Sequence, residues 1–329
     1  MSLPLSILDL APIAPGESAS QSIAASVALA QTAEEHGYGR VWYAEHHNMA
    51  TIASSAPSVV IAHVGAHTST IRLGSGGVML PNHSPLTVAE QFGTLEAMYP
   101  GRIDLGLGRA PGSDEATTYA LRRDPAASAS FPEDVQELRA YLAGHSRVPG
   151  VTAVPGNGSR VPLYVLGSST FGARLAAALG LPYAFASHFA PQSLGAAVAA
   201  YRSEFRPSEQ LERPHVIAGV NVVAADTAEQ ARETREQVLR TFATSLFGRG
   251  STFSEAEVDQ LMASAAGQHV RQMQTYSAVG TPSEVRRYLE EFRTVADADE
   301  LIVAHQARDT QARLRSVVLL AEAMESVAA

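Results

Sequence analysis

Neither cysteine nor lysine occurs anywhere in this 329-residue chain. Without cysteine there can be no disulfide, no thiolate nucleophile and no cysteine-ligated metal. Without lysine, all 24 basic residues are arginine, which excludes Schiff-base aldolases, pyridoxal-phosphate enzymes and the P-loop, each of which needs an ε-amino group. Positive charge is itself scarce: 33 acidic residues against 24 basic ones leave a net charge of −9. No basic tail or stripe offsets it, so neither nucleic acid nor an anionic membrane is an expected partner. No apolar run approaches membrane-spanning length, and no charged segment precedes an apolar stretch at the start, so a cytoplasmic protein is expected. What remains for chemistry is histidine, carboxylates, hydroxyls or a bound cofactor.

What is present is a core. The hydrophobic content of 46% in a chain of this length suits one large α/β domain or two ordinary ones. Its organising stretch runs from Ile71 to Gly112. Ile71, Leu73, Val78, Met79 and Leu80 make an apolar run broken by Gly74, Gly76 and Gly77, the pattern of a buried parallel strand whose backbone something must approach closely. Leu86, Ala89, Phe92 and Leu95 then recur at helical spacing until Pro100-Gly101 stops them. Arg102 to Leu107 reads as the next strand. It runs into Gly108-Arg109-Ala110-Pro111-Gly112, a glycine-rich loop holding one arginine.

The same alternation extends both ways. Strands are predicted at Leu3–Leu10, Arg40–Ala44, Pro162–Leu166, Pro182–Ala186, Val216–Ala224 and Glu300–Val303, with helices between them, the first capped by Ser20. Val148–Arg160 reads as a surface connection. Residues 248–279 read as an insertion before the eighth strand, its polar part 248–267 forming an extra helix. Eight strands each followed by a helix is the count of a TIM (β/α)8 barrel, here spanning residues 1–329 as one domain. A doubly wound sheet would use the same elements, and either fold places its ligand at the carboxyl ends of the strands.

Those ends hold the candidate chemistry. The glycines around Arg109 are spaced one residue too long for the dinucleotide fingerprint, and Gly167-Ser168-Ser169-Thr170-Phe171 lacks the final glycine of a nucleophile elbow. Gly167 to Gly172 instead offers backbone N–H groups and hydroxyls at a helix start, which suits a phosphate, and Arg109 from the neighbouring strand would clamp it. A plain loop before a capped helix has the same spacing. Glu45-His46-His47 invites a metal, as do His63 and His67. Adjacent residues on a strand point to opposite sides, however, and His63 and His67 belong to a helix outside the sheet, so no metal is expected. One of His46 and His47 should face the pocket while the other makes a structural hydrogen bond; His188 reads as structural.

With these residues in view, the chain resembles the bacterial luciferase-like monooxygenase superfamily. The likeness is carried by Trp42-Tyr43-Ala44-Glu45-His46-His47-Asn48, Gly74 to Pro81, Gly101 to Arg109 and Leu166-Gly167-Ser168-Ser169 with Leu179-Gly180-Leu181-Pro182 behind it. It extends through Ala186-Ser187-His188-Phe189 and Val279-Gly280-Thr281-Pro282 toward the FMN-type branch. The resemblance implies a dimeric TIM barrel that binds reduced FMN at its C-terminal mouth and reacts it with oxygen. By that likeness His46 matches the catalytic histidine, Arg109, Ser168, Ser169 and Gly172 the phosphate site, and Gly76-Gly77 a non-proline cis peptide against the flavin ring. Gly108 stands where luciferases carry a cysteine and Gly172 where they carry a threonine, which argues against light emission. The expectation is a monooxygenase supplied with FMNH2 by a separate reductase and acting on a small organic substrate. The alternatives are an F420-dependent hydride-transfer enzyme on the same barrel and a flavin-sequestering protein without turnover.

Overall fold

The computed structural model describes residues 3–14, 16–110, 114–248 and 253–325. Among the described residues nine parallel strands are formed: β1 Leu5–Asp9, β2 Arg40–Tyr43, β3 Arg72–Met79, β4 Ile103–Gly108, β5 Leu163–Gly167, β6 Tyr183–Phe185, β7 Val216–Ala224, β8 Ser277–Gly280 and β9 Glu300–His305. Eight of them close in the order β1-β2-β3-β4-β5-β6-β7-β9 and back to β1. The doubly wound alternative is thereby excluded, and the fold is a TIM barrel.

β8 is the difference from expectation. The start of β7 pairs with β6 (Tyr183↔Val216 to Phe185↔Ala218), while its end pairs with β8 (Asn221↔Ser277 to Ala224↔Gly280). The insertion therefore holds two helices, Glu255–Ala263 and Ala265–Met273, followed by an added strand, rather than one extra helix. A four-residue strand beside Gly280 is too short for periodicity to reveal. The two helices build a small core of their own: Val258, Met262 and Val270 pack on Leu239 and Ala243 of helix Ala228–Phe247.

Two smaller expectations also shift. Ser18, not Ser20, caps the first helix, because only Ser18 has Gln21 three residues on to complete a reciprocal capping box. The connection 148–160 is not confined to the surface: Ala153 is buried, a Cβ on Gly93 would lie 2.1 Å from Gly156 Cα, and one on Gly156 would lie 2.4 Å from Ala89 O.

Alternation along the strands divides the core in two. Ile7, Val41, Leu73, Leu105, Val165 and Val220 face the surrounding helices. Leu8, Trp42, Tyr164, Ala184, Ile217 and Ile302 form a separate cluster that fills the lumen. Below that plug, at the strand beginnings, lies a buried set of charges. Asp104 accepts from Arg40 Nη1 at 2.7 Å, Arg72 Nε at 3.1 Å and Trp42 Nε1 at 3.1 Å. Glu300 meets Arg40 Nε at 3.0 Å, Ser6 Oγ and His215 Nε2 at 3.3 Å. Burial opposes the charge on Arg40, but Asp104 and Glu300 more than offset it and hold the guanidinium protonated. This closed end leaves the other as the working mouth.

Candidate active site

Three loops bring the expected residues to the carboxyl ends of β2 to β5. The first follows β2. Glu45 is 1% exposed, and its carboxylate gathers His47 Nε2 at 2.8 Å, His83 Nε2 at 2.9 Å, Asn82 Nδ2 at 3.4 Å and the Met79 backbone N–H at 3.0 Å. Burial alone would raise the Glu45 pKa; hydrogen bonds from His83, His47 and Met79 outweigh it and keep the carboxylate ionised below its ordinary range. The ring of His47 is thus occupied by Glu45. His46 faces elsewhere: its backbone N–H donates to Ser54 O at 3.0 Å, while Nδ1 is buried without a hydrogen-bond partner. Burial pushes the His46 imidazole down in pKa, Glu45 opposes that, and His47 adds to it.

The second loop is β3 itself. The Gly76–Gly77 peptide is cis, and the β3–β4 register slips there, Ser75 pairing with Leu105 and Val78 with Leu107. A Cβ on Gly76 would lie 2.7 Å from Leu8 Cδ1, above the lumen plug, and one on Gly77 would lie 2.7 Å from Gly106 O. Neither glycine has room for a side chain; Gly76 is partly exposed and Gly77 is buried.

The third is the pair of loops after β4 and β5, neighbours in the sheet. Arg109 leaves β4 and lays its guanidinium over the Phe171 ring, 4.0 Å from the centroid. Phe171 is in the first turn of helix Thr170–Leu179. Ser169 is that helix's N-cap but makes no side-chain capping bond, so the first-turn N–H groups meet no hydroxyl of their own. Gly172 is buried in the first turn beside Gly167 and Tyr183, and a Cβ there would make ordinary contacts of 3.4 Å or more. Arg109, Ser168, Ser169 and Gly172 are thus brought to one helix start; an open groove of about 380 Å³ lined by Pro132, Thr170, Phe171, Arg174 and Leu175 adjoins it. Pro111 and Gly112 of the arginine loop lie outside the described residues. The Asn48 side chain donates to Asp114 at 3.1 Å, tying the loop after β2 to the one after β4.

Sequence reasoning missed two contributors. His83 comes from a 3-10 turn 38 residues beyond Glu45, a distance at which spacing says nothing. His188, read as structural, lies over the lumen beside Gly219: its ring is buried, and its Nδ1, like that of His46, has no partner. His63 and His67 are exposed on their helix, ring against ring, with His67 Nδ1 2.8 Å from the His63 carbonyl. Among the described residues no group of three histidine, aspartate or glutamate side chains is placed to hold a metal ion.

The arrangement is a barrel mouth with a glycine pair on β3, an arginine and a helix start after β4 and β5, and imidazoles with a free ring nitrogen after β2 and β6. A family model described as luciferase-like monooxygenase matches residues 3–298, and the chain belongs to that family. A luciferase-like monooxygenase of Escherichia coli (strain K12) is 47% identical over 325 residues, covering 98% of this chain and 97% of the relative. An N-acetyl-S-alkylcysteine monooxygenase of Bacillus subtilis (strain 168) is 38% identical over 246 residues, 72% of this chain and 74% of that one. The crystal structure of apo-MsnO8 superposes with a TM-score of 0.83 at 37% identity, covering 98% of both chains.

Proposed function

We propose that this protein is a flavin-dependent monooxygenase that takes reduced FMN from a separate reductase and uses oxygen to oxidise a small organic substrate. The observation that carries the reading is the stacking of Arg109 on Phe171: it sets a guanidinium beside an uncapped helix start on the same mouth as Gly76-Gly77 and His46. A phosphate needs that donor set of guanidinium, hydroxyls and helix N–H groups. The flat ring attached to it needs a wall without side chains, which the two glycines offer.

In this reading Arg109, Ser168, Ser169 and the Gly172 N–H hold the phosphate, and Gly76-Gly77 face the ring. Reduced flavin, when bound, supplies the electrons for oxygen activation. The chain's own part is to position and to exclude water. Leu8, Trp42, Ile217 and Ile302 close the lumen beneath the site. His46, its proton disfavoured by partial burial, accepts or returns a proton at its free Nδ1. Glu45, fixed by His47, His83 and Met79, sets the direction of the strand end from which His46 projects. A cytoplasmic homodimer through helices Pro57–Gly65 and Pro85–Met98 is part of the proposal, supported by exposed Val59 and Met98 on those helices.

The test is a spectral titration of the protein with reduced FMN and with reduced F420, followed by rapid mixing with oxygen. Tight binding of FMNH2 and a changed course of its oxidation are expected. Binding of F420 alone would make the protein a hydride-transfer enzyme, and FMN binding with oxidation at the free-flavin rate would make it a sequestering protein.

A further inference from the structure

One arginine beside the mouth is held entirely by uncharged groups. Arg235 lies in helix Ala228–Phe247, which follows β7. Its Nη1 donates to Gln306 Oε1 at 2.9 Å and to Gln274 Oε1, and its Nη2 donates to the Gln274 backbone carbonyl at 3.1 Å. Those bonds occupy the Nη1–Nη2 edge of the guanidinium. The Nε–Nη2 edge is the other fork with which an arginine grips a carboxylate through two parallel bonds, and it has no acceptor among the described residues. Arg40 and Arg72 of the sealed end, by contrast, both meet Asp104. Burial pushes Arg235 down to about 10 against the pull of Tyr288 and Glu236. Glu236, next in the helix, is exposed and makes no ion pair with it.

Hydrogen bonds carry this guanidinium to the lumen. Gln306, the first residue after β9, donates its backbone N–H to Val222 O and its Nε2 to Asn221 Oδ1, each at 2.9 Å. Asn221 Nδ2 donates to the His188 carbonyl at 2.6 Å. Ile217 of β7 belongs to the lumen plug, so by alternation Gly219 and Asn221 face the lumen nearer the mouth. Asn221 and Gln274 are buried, whereas Gln306 and Arg235 are part-exposed. In the ring order β9 stands four strands from β4, so Gln306 and Arg109 lie on opposite sides of the same opening.

We propose that Arg235 is a substrate-recognition residue whose free Nε–Nη2 edge binds a carboxylate of the organic substrate, the guanidinium being aimed by Gln274 and Gln306. That the anion is a substrate rests on the flavin reading above; that the edge takes a carboxylate does not. A chain of net charge −9 repels anions at long range, so an acidic ligand needs a local cation to hold it. Amides suit the aiming, because a glutamate at either position would itself satisfy the guanidinium and remove its demand for a ligand.

The experiment titrates two matched pairs, phenylacetate with phenylacetamide and hexanoate with hexanamide, into the protein without flavin at low salt, following the arginine Nε–H resonances by NMR. Each acid should shift the Arg235 Nε–H saturably and bind at least about tenfold more tightly than its amide, the ratio a charged hydrogen-bond pair supports. Arg235→Gln should abolish that preference and Arg235→Lys restore part of it, a pattern that a merely structural arginine would not give. Acid and amide bound alike, neither acid bound, a shift confined to Arg109, or a preference that survives Arg235→Gln would overturn the subsite. Should Arg235→Gln fold poorly, the wild-type comparison at the Arg235 resonance decides. Because no flavin is present, a protein that fails to bind FMN loses only the substrate role of the anion, and one that binds FMN without preferring the acids loses only the subsite.

Discussion

The two ends of the barrel solve opposite problems with the same residue types. At the strand beginnings, Arg40 and Arg72 meet Asp104 and Glu300, and Tyr164, Trp42, Ser6 and His215 add further hydrogen bonds. At the strand ends, His46 and His188 keep buried nitrogens without partners, and Arg109 rests on an aromatic face instead of a carboxylate. A barrel needs one end sealed and one available. Charge at the sealed end is paired with charge; at the open end Glu45 is held by His47 and His83, while His46 and His188 each keep a ring nitrogen free.

The sharpest way to break this contrast is to unpair the sealed end. Asp104→Asn leaves Arg40 and Arg72 facing an amide, and loss of a partner from a buried ion cluster should cost about 3–5 kcal/mol in chemical unfolding. Flavin affinity of the folded fraction should not change; a stable variant would mean that the cluster contributes little. At the mouth the effects reverse. His46→Ala should leave the unfolding midpoint near wild type and slow substrate oxidation by about 10²-fold or more, the usual range for a lost acid–base group; an unaltered rate removes His46 from the chemistry. Arg109→Ala should weaken FMN binding by roughly 1.5–3 kcal/mol, the range for a charged hydrogen bond, again with stability intact. Unchanged FMN affinity by titration would contradict the phosphate assignment.

The smallest effect is a slope. His188 and His305 are buried and pushed down to about 4 and about 3, chiefly by burial, with His46 and Arg313 adding to it. The unfolded chain binds a proton at each near pH 6.5, the native chain only well below that. Stability therefore falls as pH falls through this window, by up to about 1.4 kcal/mol per pH unit for each histidine. Glu45 and Glu300 are depressed carboxylates, their burial outweighed by hydrogen bonds and charge. Their contribution is complete above about pH 4.5 and is lost as pH drops through their folded values. Urea unfolding from pH 7 to 4 should show the histidine slope first, and His188→Gln should flatten it; an identical slope in the variant would place the acid sensitivity elsewhere.

Much of this was legible in the chain. Apolar runs punctuated by glycine, with helices between, locate all eight ring strands, since each is decided by local periodicity. Arg109, Ser168 and His46 stand out because a buried strand rarely ends in such residues. The sealed end is invisible in sequence: Arg40, Arg72, Asp104 and Glu300 are spread over 260 residues, and only ring closure makes them neighbours. His83 escapes for the same reason, reaching Glu45 around the end of β3. His188 escapes differently, because room for its ring depends on Gly219, one glycine among 25.

The added strand β8 touches the ring only along the outer half of β7, after β6 has already paired with the inner half. Ring closure is complete without it, and the two helices before it carry their own packing. One wall beside the mouth is thus built as an annex. Its length and side chains can be redrawn while the hoop of eight strands, and the charges locked beneath it, stay as they are.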